Sequence, residues 1–274
     1  MMAITVLKGD GVEEKFDPAK AKKALRRSGL NPKEADEALK RLMPSLYDGI
    51  GTHKIYRALY GIVDEMRPEI SHKYNLKRAL QRLGPAGYNF EDFTSTLLGH
   101  LGHDTKVRQI IMGRCVSHEI DVVAKKGRQR FMIECKFRHQ PGFKCRIQTA
   151  LYVYARFLDL NEGAKMGKGE RFTRPWLITN AKFSYDVKDY ARCRGIDLLG
   201  WRYPFKKGLE VEIDRTKCYP VSVLNMGSKS LSQLLKAKMV TVFDIPEKAG
   251  KLAGKTGMSL RTAKKIIERA DYAR

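Results

Sequence analysis

The sequence has few cysteines, a deficit of acidic residues and no long apolar run. Its five cysteines are an odd number and include no C-x-x-C pair, which argues against a disulfide framework and against a zinc ribbon. No apolar stretch approaches the ~18–20 residues of a membrane-spanning helix, and the first ten residues lack the apolar segment of a signal peptide. No G-x-x-x-x-G-K-[ST] motif is present, so nothing supports a motor ATPase. These absences favour a reduced, cytoplasmic protein without a membrane partner.

Positive charge is what the sequence has in excess. Lys and Arg number 53 against 30 Asp and Glu, a formal net charge of +23 in 274 residues, and the excess runs along the whole chain. Apolar residues still make up 43%, so we expect a folded protein and not a disordered tail. A polyanion is the simplest partner of such a surface, because each neutralised phosphate releases counterions. We therefore expect DNA as a partner and a nucleoid-associated location.

Changes of pattern divide the chain into three segments and predict an α/β multidomain protein. Segment 1–84 combines a short strand pair with amphipathic helices, the first of which begins at Asp17-Pro18 as cap and N1 proline. Segment 85–203 interleaves helices with β-rich runs, which predicts a layered domain around a mixed sheet. Segment 204–274 reads as a linker followed by a small, basic, all-helical domain.

Two motifs in the first segment suit a nucleotide. They are Val6-Leu7-Lys8-Gly9-Asp10-Gly11-x-x-Glu14-x-Phe16-Asp17-x-x-Lys20 and Tyr47-Asp48-Gly49-Ile50-Gly51-Thr52. A Gly-rich hairpin lets the backbone approach phosphates, and the lysines supply charge. Taken alone, the hairpin is also what an ordinary Asp-Gly turn looks like.

Together the two motifs resemble the ATP-cone domain, the allosteric nucleotide site of ribonucleotide reductases. The resemblance implies that ATP or dATP binds as a regulatory ligand. It places Lys8 and Lys20 on phosphates, Glu14 near the base or ribose, and Thr52 on a phosphate or its metal. Gly9 stands where the family usually has arginine, and Gly9 and Gly11 would bring the backbone to the nucleotide.

Acidic residues and a lysine converge in the second segment. On a strand, Glu134 and Lys136 share one face, and a tight turn at 125–128 brings Asp121 alongside Glu134. Phe131, Ile133 and Phe137 predict that this strand is buried on one face only. Burying the charged groups without partners would cost several kcal/mol, so they need each other and a metal ion. Mg²⁺ is suited to this, because it prefers carboxylate oxygens and water. An exposed salt bridge between Glu134 and Lys136 is the simpler alternative.

The pattern Asp121-x(12)-Glu134-x-Lys136 resembles the PD-(D/E)xK nuclease core, and its surroundings resemble the Mrr-type restriction endonucleases. Gln148 and Tyr152, at helical i, i+4 spacing, match the glutamine helix of that branch. The resemblance implies a metal-dependent DNA endonuclease with an αβββαβ core. It assigns catalysis to Glu91, Asp121, Glu134, Lys136 and Gln148, and Mg²⁺ to Asp121, Glu134 and Glu91. The sequence departs from the family at His118-Glu119, where glycines are usual, and we interpret Glu119 as a solvated neighbour.

The third segment contains Leu234–Ile245 and Leu252–Ile267, which resemble helix-hairpin-helix modules. Such hairpins direct helix N-terminal N–H groups at a backbone phosphate without reading bases. Gly257 followed by Ser259 predicts a new helix that Ser259 caps at its N-terminus. The resemblance implies DNA binding by Gly257, Ser259, Arg261, Lys264 and Lys265. A plain helical bundle that mediates oligomerisation is the alternative.

The three segments predict a nucleotide-regulated, Mg²⁺-dependent DNA endonuclease. Cleaving both strands of a duplex needs two active sites, so we expect a homodimer. The alternative is a non-cleaving, nucleotide-responsive DNA-binding regulator or structural factor. Cone-bearing repressors are its precedent, although they carry a zinc ribbon and this chain has no C-x-x-C pair.

Overall fold

A computed structural model describes residues 4–8, 11–84, 87–140 and 142–274. The predicted nucleotide residue Gly9 lies outside these ranges. The chain divides into two compact units. One contains the described residues up to Leu76 together with Asp271–Ala273, and the other contains Lys77–Ala270 together with Arg274. The segment boundaries proposed from the sequence stay predictions.

The first unit packs amphipathic helices around a small sheet. Strand β1 pairs antiparallel with β2 and parallel with β3. Val6, Leu25 and Val63 are buried in its core. In chain order the elements are β1 (Thr5–Leu7), β2 (Glu13–Lys15), α1 (Pro18–Arg27), α2 (Pro32–Leu42), β3 (Ile50–Gly51), α3 (Thr52–Met66) and the beginning of α4 (Pro68–Gln81).

Two helix ends in this unit follow from local chemistry. The Asp17 carboxylate accepts hydrogen bonds from the backbone N–H groups of Ala19 and Lys20, at 2.9 and 3.2 Å, which confirms the predicted start of α1. Helix α2 ends at Leu42. The reason is Pro44, which cannot donate the next helical hydrogen bond, and the chain continues as a 3-10 turn over Met43–Ser45.

A mixed sheet forms the centre of the second unit, which confirms the α/β class. Its strand order is β10-β8-β6-β5-β4, in which β4, β5 and β6 are antiparallel neighbours and β8 and β10 run parallel to β6. In chain order the elements are α5 (Tyr88–His100), β4 (Asp104–Met112), β5 (Ser117–Lys126), β6 (Gln129–Lys136), β7 (Lys144–Cys145), α6 (Ile147–Lys165), β8 (Arg174–Thr179), β9 (Lys182–Phe183), α7 (Tyr185–Arg194) and β10 (Asp197–Leu199).

Strand β6 lies in the middle of this sheet and is covered on both faces. Met132 and Ile133 are adjacent, so they point to opposite faces, and both are at most 1% exposed. The prediction of burial on one face only was therefore wrong. The physical reason is that β5 and β8 flank β6, and helices cover both faces of a central strand in an α/β layer.

The remainder of this unit contains a second small sheet and a set of short helices. Strands β7 and β9 pair in parallel, and two-residue strands leave no periodic signal in the sequence. Leu231, Leu234 and Leu252 are buried among the C-terminal helices. These helices are α8 (Leu209–Thr216), α9 (Ser228–Lys236), α10 (Ala249–Thr256) and α11 (Leu260–Ala273). None of the described helices is both long and apolar enough to cross a bilayer.

Candidate functional site

Asp121 and Glu134 meet where the ladder between β5 and β6 ends. The last paired residues there are Val122 and Ile133, so the next positions along the two strands are Asp121 and Glu134. The Asp121 carboxylate accepts a hydrogen bond of 2.7 Å from the backbone N–H of Cys135, which fixes it against β6. The predicted juxtaposition of the two carboxyl groups is therefore confirmed.

Burial and mutual repulsion make both carboxyl groups hard to ionise. Burial raises the pKa of Glu134 to about 7, with the Asp121 charge adding to the effect, while Arg156 and Lys136 act against it. Burial also raises the pKa of Asp121, against the lowering effect of the hydrogen bond from Cys135. Two acids that oppose each other's ionisation form a site that a cation would stabilise.

Arg156 is the direct partner of Glu134, and the sequence analysis missed it. Its Nη1 lies 2.5 Å from Glu134 Oε2, and the side chains are only 7% and 13% exposed. The guanidinium also lies over the Tyr152 ring, 5.0 Å from its centroid. Arg156 Nε is buried without a hydrogen-bond partner among the described residues. A signal was available, because Arg156 follows Gln148 and Tyr152 at the same four-residue spacing along α6.

Glu91 reaches the site from α5 and is held by Arg108, a second residue that sequence reasoning missed. Arg108 donates to Glu91 Oε2 at 3.2 Å and to Asp92 Oδ1 at 2.7 Å. Burial and the Asp121 charge raise the pKa of Glu91, and Arg108 opposes this. Arg108 interrupts β4 with a φ of 50°, opposite Asp121. A left-handed arginine costs roughly 1–2 kcal/mol, and such strain clusters at functional sites.

Lys136 and Gln148 complete the predicted catalytic set. Lys136 is half-buried at the end of β6, and its ammonium forms no ion pair among the described residues. Its backbone carbonyl accepts a hydrogen bond of 2.5 Å from Thr179 Oγ1. Gln148 is exposed in the first turn of α6. The simpler alternative, a Glu134–Lys136 salt bridge, is absent, because Glu134 pairs with Arg156 instead.

His118 and Glu119, which stand where the nuclease family usually has glycines, lie in different surroundings. His118 Nε2 lies 2.8 Å from Asp159 Oδ2, so this histidine joins β5 to α6. Glu119 is exposed, in line with its interpretation as a solvated neighbour, although its charge helps raise the pKa of Asp121. In the described part of the chain, no three or more His, Cys, Asp or Glu side chains are gathered as a ready metal centre.

Three of the predicted nucleotide residues line one cavity of about 200 Å³ in the first unit. Glu14, Lys20 and Thr52 line it together with Tyr56 and Tyr74, whose rings stack with centroids 5.1 Å apart. The Glu14 carboxylate lies 3.0 Å from the Lys20 ammonium.

Two further predicted nucleotide residues lie in the adjoining hairpin. The Lys8 ammonium is 2.7 Å from the Glu14 carboxylate. The hydrogen bonds from Lys8 and Lys20 lower the pKa of Glu14. Gly11 lies in the exposed hairpin with a φ of 83°.

The predicted DNA-binding residues lie around the start of α11. Gly257 ends α10 in the left-handed conformation, and Ser259 caps α11 by accepting from the backbone N–H of Thr262, as predicted. Arg261, Lys264 and Lys265 are exposed on α11. DNA binding by these residues stays a prediction.

Comparisons with known proteins identify relatives whose function is itself unknown. No family model matches the chain. An uncharacterized protein of Archaeoglobus fulgidus is 39% identical over 174 residues, which are 64% of this chain and 95% of the relative. A crystal structure described as that of a protein of unknown function, AF1548, is 38% identical, with a TM-score of 0.58 over 68% of this chain and 97% of that one. This chain therefore belongs to the family of the Archaeoglobus protein.

Proposed function

We propose that the protein is a metal-dependent, nucleotide-regulated DNA endonuclease that hydrolyses phosphodiester bonds at Asp121, Glu134 and Lys136. The observation that carries the proposal is the pair of half-buried carboxyl groups at the end of the β5–β6 ladder. Two residues further along β6 lies the Lys136 ammonium, which forms no ion pair within the part of the chain that the structure describes. Groups that are costly to bury persist together where a ligand compensates them.

The donor set supports a hard divalent cation. Mg²⁺ needs only one or two carboxylates because it keeps several waters, so Asp121 and Glu134 suffice even without Glu91. When bound, Mg²⁺ would lower the pKa of a water and stabilise charge on the phosphate. Arg156 holds Glu134 in place through their buried ion pair, and Arg108 holds Glu91.

The remaining side chains have distinct roles in this proposal. The Lys136 ammonium orients the attacking water or stabilises the scissile phosphate. Gln148, exposed on α6, contacts substrate or water. Arg261, Lys264 and Lys265 hold the DNA backbone, and a homodimer supplies the second active site that cleavage of both strands requires.

Nucleotide regulation is proposed from the cavity of the first unit. Thr52 and Lys20 line it, and the stacked Tyr56 and Tyr74 rings offer an aromatic wall for a base. Lys8 and Lys20 are both committed to Glu14, so a triphosphate would compete with this carboxylate for their charge. ATP or dATP is the ligand that the resemblance favours.

The test is cleavage of linear, supercoiled and branched DNA with and without Mg²⁺ and ATP or dATP. Glu134→Gln keeps the shape of the side chain and removes its charge, and we expect it to lower the cleavage rate at least about a hundredfold. Glu162→Gln is the matched control, because Glu162 lies on the surface of α6 in an exposed ion pair with Arg114.

Two results would contradict the proposal. Cleavage that survives in Glu134→Gln would remove this site from the reaction. DNA binding without Mg²⁺-dependent cleavage on every substrate would favour the alternative, a nucleotide-responsive regulator that does not cut.

A further inference from the structure

A cavity of about 140 Å³ lies at the carboxyl ends of β6 and β8 and is surrounded by positive charge. Its charged lining residues are all cationic, with no carboxylate among them. They are Lys77, Arg138, Lys144 and Lys182. Neutral polar groups of Gln81, Gln140 and Asn180 also face it. A pocket lined by four cations in the absence of an acid is matched to an anion.

The small sheet beside this cavity places two of the cations directly opposite each other. In the pairing of β7 with β9, Lys144 is the partner of Lys182. Like charges facing each other across strands destabilise a sheet. Neither lysine forms an ion pair with another described residue. An anion bound between them would remove this repulsion.

Lys77, which also lines the cavity, lies close to other positive charges. Burial lowers the pKa of its ammonium, and the charges of Lys182 and Arg202 lower it further. The ammonium lies 5.8 Å from the centroid of the Trp201 ring, which compensates its charge in part. It has no counter-ion among the residues that the structure describes.

Arg138 contributes a donor that is buried without a hydrogen-bond partner among the described residues, its Nε. The backbone of Arg138 is fixed to Asn180 by two hydrogen bonds. Arg138 N–H donates to Asn180 Oδ1 at 2.7 Å, and Asn180 Nδ2 donates to the Arg138 carbonyl at 2.8 Å. Asn180 is itself only 4% exposed. The backbone that carries the Arg138 guanidinium is therefore held rigidly.

Trp201, which also lines the cavity, is held in place as well. Trp201 is 9% exposed, and its backbone N–H donates to the Ala181 carbonyl at 2.8 Å. The backbone around the cavity is therefore fixed before a ligand binds, whereas Lys144 and Lys182 have exposed side chains that an anion would order.

We propose that this cavity binds a phosphate group. Its oxygens would accept charge-assisted hydrogen bonds from Arg138, Lys144 and Lys182. Arg138 follows Lys136 by two residues, just beyond the end of β6. On DNA, the bound group would be a backbone phosphate neighbouring the one that is cleaved, and this placement rests on the proposed function. A free phosphate or the phosphate of a nucleotide would bind by the same chemistry.

The test is DNA binding by a variant with both facing lysines neutralised, Lys144→Gln with Lys182→Gln. Anisotropy of a labelled duplex in EDTA separates binding from cleavage, so a protein that does not cut is still informative. We expect the Kd to rise about tenfold. The slope of log K against log salt concentration should fall in magnitude by about 0.9, as for one lost phosphate contact.

The control is Lys165→Gln with Lys229→Gln, which removes the same charge from two exposed lysines outside the cavity. A single Arg138→Gln variant repeats the measurement, should the double variant fail to fold. Titration calorimetry with inorganic phosphate and with ATP, in wild type and variants, separates the possible sources. Loss of duplex binding alone identifies a backbone phosphate, and loss of phosphate or ATP binding identifies a free ligand. Cavity variants that match the control with all three probes would overturn the proposal.

Discussion

The chemistry of the candidate site depends on which residues pair with Glu134. Sequence spacing suggested Lys136, whereas the fold supplies Arg156 from α6 as the buried ion-pair partner. This arrangement leaves the Lys136 ammonium available for a ligand. A buried pair of this kind is weak support for stability, because desolvation offsets much of the attraction. Its value here is that it fixes the orientation of Glu134 next to Asp121.

The raised pKa of Glu134 predicts a pH-dependent stability. Its pKa is about 7 in the folded protein against 4.5 for the unperturbed group, so between these values the folded protein holds a proton that the unfolded chain has lost. The contribution of Glu134 is therefore most favourable below about pH 4.5 and is lost as the pH rises towards 7. We expect the free energy of unfolding in metal-free buffer to fall between pH 5 and 8, by about 3 kcal/mol at most from this group.

Urea unfolding of wild type and Glu134→Gln at pH 5 and pH 8 measures this effect. The variant should show a flatter dependence, because its amide does not titrate. The same difference between the two pH values in both proteins would contradict the assignment of the raised pKa to Glu134.

At the scale of elements, close packing of α6 against the β4–β5 hairpin fixes the frame of the site. Asp159 on α6 accepts from the backbone N–H of Cys115 at 2.9 Å and contacts His118. These hydrogen bonds lower the pKa of Asp159 to about 2. Its stabilising effect is thus present above about pH 4 and is lost as the pH falls through 2. Further along α6, Gly163 lies directly against Gly113 of the hairpin.

Gly163→Ala should destabilise the protein although alanine favours helices. A Cβ at position 163 would lie 2.5 Å from the Gly113 carbonyl carbon, so backbone must move. We expect a cost of roughly 1–3 kcal/mol. Gly99→Ala in α5 is the matched control. A Cβ there meets nothing within 4 Å, and we expect a gain of roughly 0.5–1 kcal/mol. Thermal unfolding distinguishes the two, and equal stabilisation by both changes would contradict the close contact.

At the scale of the whole molecule, each unit has its own candidate ligand site. The first contains the cavity lined by Lys20 and Thr52. The second contains the carboxylate site and the cationic cavity at Arg138. Under the proposed function, the net charge of +23 would attract nucleic acid without regard to position, and the local sites would fix where it is held.

Nucleotide should stabilise the protein if the first unit binds it. A ligand that binds only the folded state at a hundred times its Kd adds about 2.7 kcal/mol, so ATP or dATP is expected to raise Tm. For Lys20→Met, we expect that about ten times more nucleotide is needed for the same rise in Tm, because one charged phosphate contact is lost. Lys23→Met is the control, since Lys23 is exposed on α1 and does not line the cavity. No shift with either nucleotide, or equal losses in both variants, would contradict the prediction.

The sequence by itself determined the α/β class, the caps at Asp17 and Ser259, and the meeting of Asp121 with Glu134. These features depend on local signals: capping side chains, strand periodicity and a short turn whose length fixes the register. Such signals act over a few residues, so they can be read before the chain is folded.

Only the tertiary structure decided the partners that come from distant segments. Arg156 reaches Glu134 from α6, Arg108 adopts a left-handed backbone to reach Glu91, and Lys77 joins Lys182 across more than a hundred residues. Helical spacing places Arg156 on the same face of α6 as Gln148 and Tyr152, but no local pattern specifies which partner each side chain contacts. Those contacts arise from the packing of helices on a sheet. The two faces of β6 were misjudged for the same reason, since burial of a strand depends on which elements lie on either side of it.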